Sequence, residues 1–137
     1  MASGQTKVGG IVKRWGGDKS TFAEGFLAVP TILLKNLRTI GEYGLTPAEL
    51  VFVLEVMSFK WGEEDPFPSY GRIADSMGVS EGYVRKIARK LEEKGFLRRK
   101  KREGMTNKFD LSPLFEEIAD LGEETEGQVF DDESLPF

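Results

Sequence analysis

The spacing of apolar and polar positions divides the chain into short helical stripes followed by a hairpin. Residues 1–22 carry no sustained stripe: Gly9-Gly10 and Gly16-Gly17 bracket Ile11–Trp15, which reads as a mobile arm with a short strand at Gly10–Lys13. Phe26–Val29 is apolar and leads into Pro30, a residue suited to the first turn of a helix. Ile32, Leu33, Leu37 and Ile40 then make a helical stripe over Thr31–Ile40, ended by Gly41 and Gly44. Thr46-Pro47-Ala48-Glu49 is a capping box. The helix it opens, Pro47–Lys60, is apolar on most of its surface, as expected of a central core element.

The next segment has a different rhythm. Ser69 caps a short helix, Tyr70–Met77, with Ile73, Ala74 and Met77 inward; Gly78-Val79 makes a tight turn; Ser80 caps a longer helix, Glu81–Lys94, closed by Gly95. Phe96–Lys100 and Lys108–Leu111 read as strands joined by a turn containing Gly104 and Asn107. Ser112-Pro113 starts a last helix over Leu114–Leu121, and residues 122–137 are acidic and aperiodic, a disordered tail. Ala74, Gly78 and Val84 have the spacing of a helix-turn-helix, and the hairpin after it adds a wing. The expected fold is mainly α with a small β hairpin (α+β), a winged helix-turn-helix over residues 23–121 between an arm (1–22) and a tail (122–137).

Charge sharpens this picture because it is divided along the chain. Residues 116–137 hold nine acids and no base, whereas Arg72–Lys108 holds 12 bases against 5 acids. A basic body with an acidic tail points to nucleic acid as the body's partner. The chain has no Cys and no His, which excludes disulfides, thiolate nucleophiles, Cys/His zinc sites and an imidazole base. No carboxylate set has metal-ligand spacing and no Gly-rich phosphate loop is present, so no metal, cofactor or enzyme activity is expected. Tyr70 or Tyr83 with Asp75 is thin support for a nuclease. Zero Cys, no apolar signal segment and no long apolar run suit a cytoplasmic protein that does not enter membranes.

On Glu81–Lys94, Val84, Ile87, Ala88 and Leu91 form the buried stripe and leave Tyr83, Arg85, Lys86, Arg89 and Lys90 outward. A second helix that offers its N-terminal half to a major groove would bring Arg85 and Arg89 to base edges and Lys86 and Lys90 to phosphates, with Ser69 and Ser80 at the helix starts nearby. Arg98-Arg99-Lys100-Lys101-Arg102, five consecutive bases, and Lys108 load the wing over residues 98–108. Five like charges repel unless an anion compensates them, which favours a DNA contact along the backbone or minor groove.

The stretch FPSYGRIADSMGVSEGYVRKIARKLEEKGFLRR, followed by TNKFDLSPLFEEI, resembles the winged-helix domains of bacterial phage and plasmid replication initiators, over about residues 24–120. The resemblance implies DNA binding, with recognition helix 81–94 and wing 98–108. Asp131-Asp132-Glu133-Ser134-Leu135-Pro136-Phe137 is similar to the C-terminal tip of bacterial single-stranded DNA-binding proteins. That likeness implies a tether whose Phe137 ring and carboxylate dock on replication and repair enzymes, with Asp131, Asp132, Glu133, Leu135 and Pro136 contributing. The expected function is DNA binding in the replication of a phage or mobile element, with the tail recruiting host enzymes. A single-stranded DNA-binding protein built on a winged helix is the first alternative and a transcriptional regulator the second. The oligomeric state is left open.

Overall fold

The computed structural model describes residues 10–60 and 62–124. The acidic tip, including Asp131, Asp132, Glu133, Leu135, Pro136 and Phe137, lies outside the described residues. Residues 10–26 and residues 27–124 belong to different units of the chain.

In the first unit, the expected strand at Gly10–Lys13 is instead a helix, α1 (residues 10–15). Gly16, read as one of the brackets, serves as the helix stop, whereas Gly10 lies within the helix: Gly16 takes φ +90 and its N–H donates to the Val12 carbonyl at 2.7 Å. A 3-10 turn, Lys19–Phe22, follows and is capped by Asp18, whose carboxylate accepts from the Ser20 backbone. The Ser20 hydroxyl, above all, holds the Asp18 carboxyl below its ordinary range. Phe22 and Phe26 meet edge to face.

The second unit begins with α2 (Thr31–Lys35), shorter than its stripe predicts. Asn36 ends it. The Asn36 amide donates to the Ile32 carbonyl at 2.8 Å, a local bond that competes with continuation of the helical ladder. Leu33 and Ile40 are buried all the same, because the turns after Asn36 return Ile40 to the core. Helix α3 (Pro47–Ser58) starts at the expected capping box, with both reciprocal bonds between Thr46 and Glu49 formed. Phe52, Val53 and Val56 are fully buried, and α3 packs on both α4 (Tyr70–Met77) and α5 (Glu81–Glu93).

Ser69 and Ser80 cap α4 and α5 as the sequence indicates. Gly78 joins the two helices in the left-handed conformation (φ 71), which side chains other than glycine adopt at a cost. The apolar stripe of α5, Val84, Ile87, Ala88 and Leu91, is buried against α3 and α4. Strands β1 (Arg98–Lys100) and β2 (Lys108–Asp110) pair antiparallel, with Arg99 opposite Phe109. Phe109 plugs the core edge-on to Phe52, and its N–H donates to the Pro66 carbonyl at 2.9 Å. Helix α6 (Ser112–Glu124) buries Leu114 and Ile118 and packs on α2. It runs three residues past the expected end at Leu121, because the glycine at 122 continues the helix rather than stopping it.

One buried ion pair ties the two ends of this core. Glu49 is 3% exposed, and its Oε1 accepts from Lys94 Nζ at 2.6 Å while Lys94 also donates to the Gly44 carbonyl. The N3 glutamate of the α3 capping box is thus also the anchor for the C-terminal end of α5. Among the described residues, no helix is long and apolar enough to cross a membrane.

Candidate nucleic-acid interface

The exposed face of α5 is built by subtraction. With its stripe buried, Tyr83, Arg85, Lys86, Arg89 and Lys90 are all exposed. The side chains of Lys86, Arg89 and Lys90 make no hydrogen bond or ion pair among the described residues. They form a ladder of free cations along one helix. Arg85 differs: its Nη2 donates to Glu81 at 2.7 Å and its guanidinium lies over the Tyr70 ring, 5.3 Å from the centroid. It leans toward the wing. Ser69 and Ser80 are occupied as caps, their hydroxyls accepting from the backbone N–H groups of Arg72 and Tyr83 at 3.1 Å.

The wing departs from expectation. Its bases call for a compensating anion, and the protein's own acids supply most of it. Arg98 lies 3.6 Å from Asp110, Lys100 pairs with Asp65 at 2.7 Å, and Lys108 pairs with Glu64 at 2.7 Å. Arg99 is the most enclosed: its Nη2 donates to Glu92 Oε1 at 2.5 Å, its backbone N–H to Glu92 Oε2, and its Nη1 to the Tyr70 hydroxyl at 3.0 Å. Arg102 folds back over the Phe67 ring and donates to the Thr106 carbonyl at 2.8 Å. Only Lys101 among these bases has no side-chain hydrogen bond or ion pair among the described residues. The sequence therefore overstates the wing's free charge, and Arg99 is bonded into the fold through Glu92 and Tyr70.

Titration follows the same pairings. The hydrogen bond from Arg99 holds the Glu92 carboxyl below its ordinary range against the opposing effect of burial, and Glu92 in turn raises Arg99. Lys108 lowers Glu64, and Asp65 raises Lys100. For Asp110, burial pushes the carboxyl up, but hydrogen bonds from Ser112 with the charges of Lys100 and Arg98 leave it lowered.

Between α5 and the wing turn lies a groove of about 550 Å³, lined by Ser69, Tyr70, Glu81, Arg85, Met105 and Asn107 among others. Two groups at this junction escape the sequence reading of an interface: Glu92 and the acidic loop Glu64-Asp65. Glu92 lies in the last turn of α5, and Glu64 and Asp65 lie in the loop before α4. Their one visible signal is the acidic run before Pro66, which has the opposite sign to the wing.

A short helix, a left-handed glycine turn, a second helix with an exposed basic face and a two-stranded hairpin define a winged helix-turn-helix domain. The match to the model of the DnaD N-terminal domain spans residues 29–129, and the chain belongs to that family. Among solved structures it is similar to the N-terminal domain of DnaD protein from Geobacillus kaustophilus HTA426, at 31% identity over 77% of this chain and 87% of that one, with a TM-score of 0.58. A MarR/EmrR family transcriptional regulator from Acinetobacter sp. ADP1 also matches, at 21% identity over 76% of each chain, with a TM-score of 0.42. No curated protein matches.

Proposed function

We propose that this protein is a non-enzymatic DNA-binding module of the cytoplasm that acts in the replication of a phage or mobile element. The observation that carries the reading is the row Lys86, Arg89 and Lys90, exposed and without side-chain partners among the described residues, on the second helix of a helix-turn-helix. Membership of the DnaD N-terminal domain family supports a place in replication over one in transcription. In this reading α5 enters the major groove, Arg89 and Arg85 approach base edges, and Lys86, Lys90 and Lys101 meet phosphates. The acidic C-terminal segment ending in Leu135-Pro136-Phe137 recruits replication and repair enzymes. The acids of that segment would steer it toward basic rims on such enzymes.

A single-strand preference is the second reading, favoured by Tyr83, an aromatic 44% exposed beside the free bases, because a base can stack on such a ring. Fluorescence anisotropy with matched single- and double-stranded oligonucleotides at low and moderate salt separates the two. Tighter duplex binding that weakens as salt rises supports major-groove docking. Sequence-insensitive single-strand binding supports the second reading, and no binding at low salt overturns both. Deleting Pro136-Phe137 is expected to leave DNA affinity unchanged while abolishing retention of purified replication enzymes; a marked tightening on DNA would show instead that the tail screens the basic face.

A further inference from the structure

Wing and recognition helix meet at one side chain. Tyr70 is the first residue of α4, yet its contacts are with β1, β2 and α5. Its hydroxyl accepts from Arg99 Nη1 on β1 at 3.0 Å and from Asn107 Nδ2, just before β2, at 3.3 Å. Its ring meets Phe109 of β2 edge-on at 5.8 Å, and Arg85 of α5 lies over the ring. Arg99 carries the connection onward, because Glu92 of α5 grips both its guanidinium and its backbone N–H. The two lone pairs of one phenol oxygen thus hold both strands of the wing, while its π face holds the helix.

The wing's exposed ion pairs are of a different kind. Lys100 with Asp65 and Lys108 with Glu64 are pairs in which one partner is more than half exposed, so salt screens them and each contributes little. The Arg99–Glu92 pair has side chains 23% and 32% exposed, and Tyr70 is half-buried beside it. As ionic strength rises, the Tyr70 junction persists, together with the bonds from the Phe109 N–H to the Pro66 carbonyl and from the Thr106 hydroxyl to the Phe67 carbonyl, and of these only the Tyr70 junction reaches α5.

We infer that Tyr70 is a positioning residue: through its hydroxyl it sets the angle of the wing to α5, and so decides whether the wing tip and the helix face engage one duplex together. This rests on the duplex reading above. Tyr70→Phe keeps the ring contacts with Phe109 and Arg85 and removes only the two hydrogen bonds to the wing. In the DNA-free variant, amide hydrogen exchange at Lys108–Asp110 is expected to quicken at least tenfold, while α3 and α5 keep their protection. On a duplex, affinity is expected to fall three- to tenfold, and the slope of log K against log salt to flatten by about 0.9 for each phosphate that the wing tip ceases to neutralise. A merely structural tyrosine would lower the unfolding temperature without changing that slope. Glu92→Gln, which loosens Arg99 from the helix side, is expected to flatten the slope in the same direction.

Unchanged exchange at β2, or an unchanged salt slope for Tyr70→Phe in a wild type that binds duplex, overturns the inference. A wild-type chain that ignores duplex at low salt overturns the duplex reading alone. Exchange in the free protein then decides whether Tyr70 holds the wing.

Discussion

Helix α5 and the wing are both rich in bases, four among residues 81–93 and six among residues 98–108, yet they spend this charge differently. On α5, Lys86, Arg89 and Lys90 point to solvent without side-chain partners among the described residues. On the wing, Arg98, Arg99, Lys100 and Lys108 each face an acid drawn from α5, β2 or the loop before α4. A count of bases therefore measures two different things: on the helix, charge available to a ligand, and on the hairpin, charge that fixes the hairpin in place. A polyanion meets a ready surface in the first and must compete with existing pairs in the second.

The comparison breaks most severely where α5 itself stops being free, at Lys94. Lys94→Met leaves Glu49 buried and unpaired, and urea unfolding is expected to show a loss of about 3–5 kcal/mol. Adding Glu49→Gln should recover part of that, since the orphaned charge is then gone. Next in size, Lys86→Ala with Arg89→Ala is expected to weaken duplex binding more than tenfold. A loss concentrated on one sequence, about 1–3 kcal/mol from Arg89, would identify base reading, whereas an equal loss on all sequences would leave only phosphate contacts.

A smaller effect of opposite sign sharpens the contrast. Glu64→Gln with Asp65→Asn releases Lys108 and Lys100, so duplex affinity should rise two- to fivefold and the salt slope should steepen. An unchanged slope would mean that the freed bases do not reach DNA. The smallest effect is one of pH. Arg99 makes Glu92 a stronger acid in the folded chain than in the unfolded one, so its contribution to stability is complete above the usual glutamate value of 4.5 and is lost as pH falls below it. Urea titrations between pH 5 and pH 3 should therefore show a steeper decline for the wild type than for Glu92→Gln.

How much of this is legible in the sequence depends on the range of the interaction. The capping residues Thr46, Ser69 and Ser80, the turn at Gly78 and the stripe of α5 are local signals, fixed by side chains within a few positions of one another, and all are found where the sequence puts them. Local signals mislead where two are compatible with one pattern. Gly16 closes a helix as readily as it flanks a strand, and Asn36 truncates α2 inside an unbroken apolar stripe. The exposed face of α5 follows from its periodicity alone. The state of the wing does not, because Lys100 and Asp65 are 35 positions apart and Arg99 and Tyr70 are 29 apart. No window along the chain contains both members of either pair, so their neutralisation becomes visible only when the hairpin is folded against α4 and α5.

The same attachments have a consequence for how molecules behave side by side. A two-stranded sheet ordinarily offers outward N–H groups on both margins, and a neighbouring copy can add a strand there. Here Arg99 and Phe109 sit opposite one another, and both of their N–H groups are taken, the first by the Glu92 carboxylate and the second by the Pro66 carbonyl. The hairpin therefore has no vacant margin at its centre. Many copies crowded along one polymer can stand wing to wing without stitching their sheets together into an aggregate.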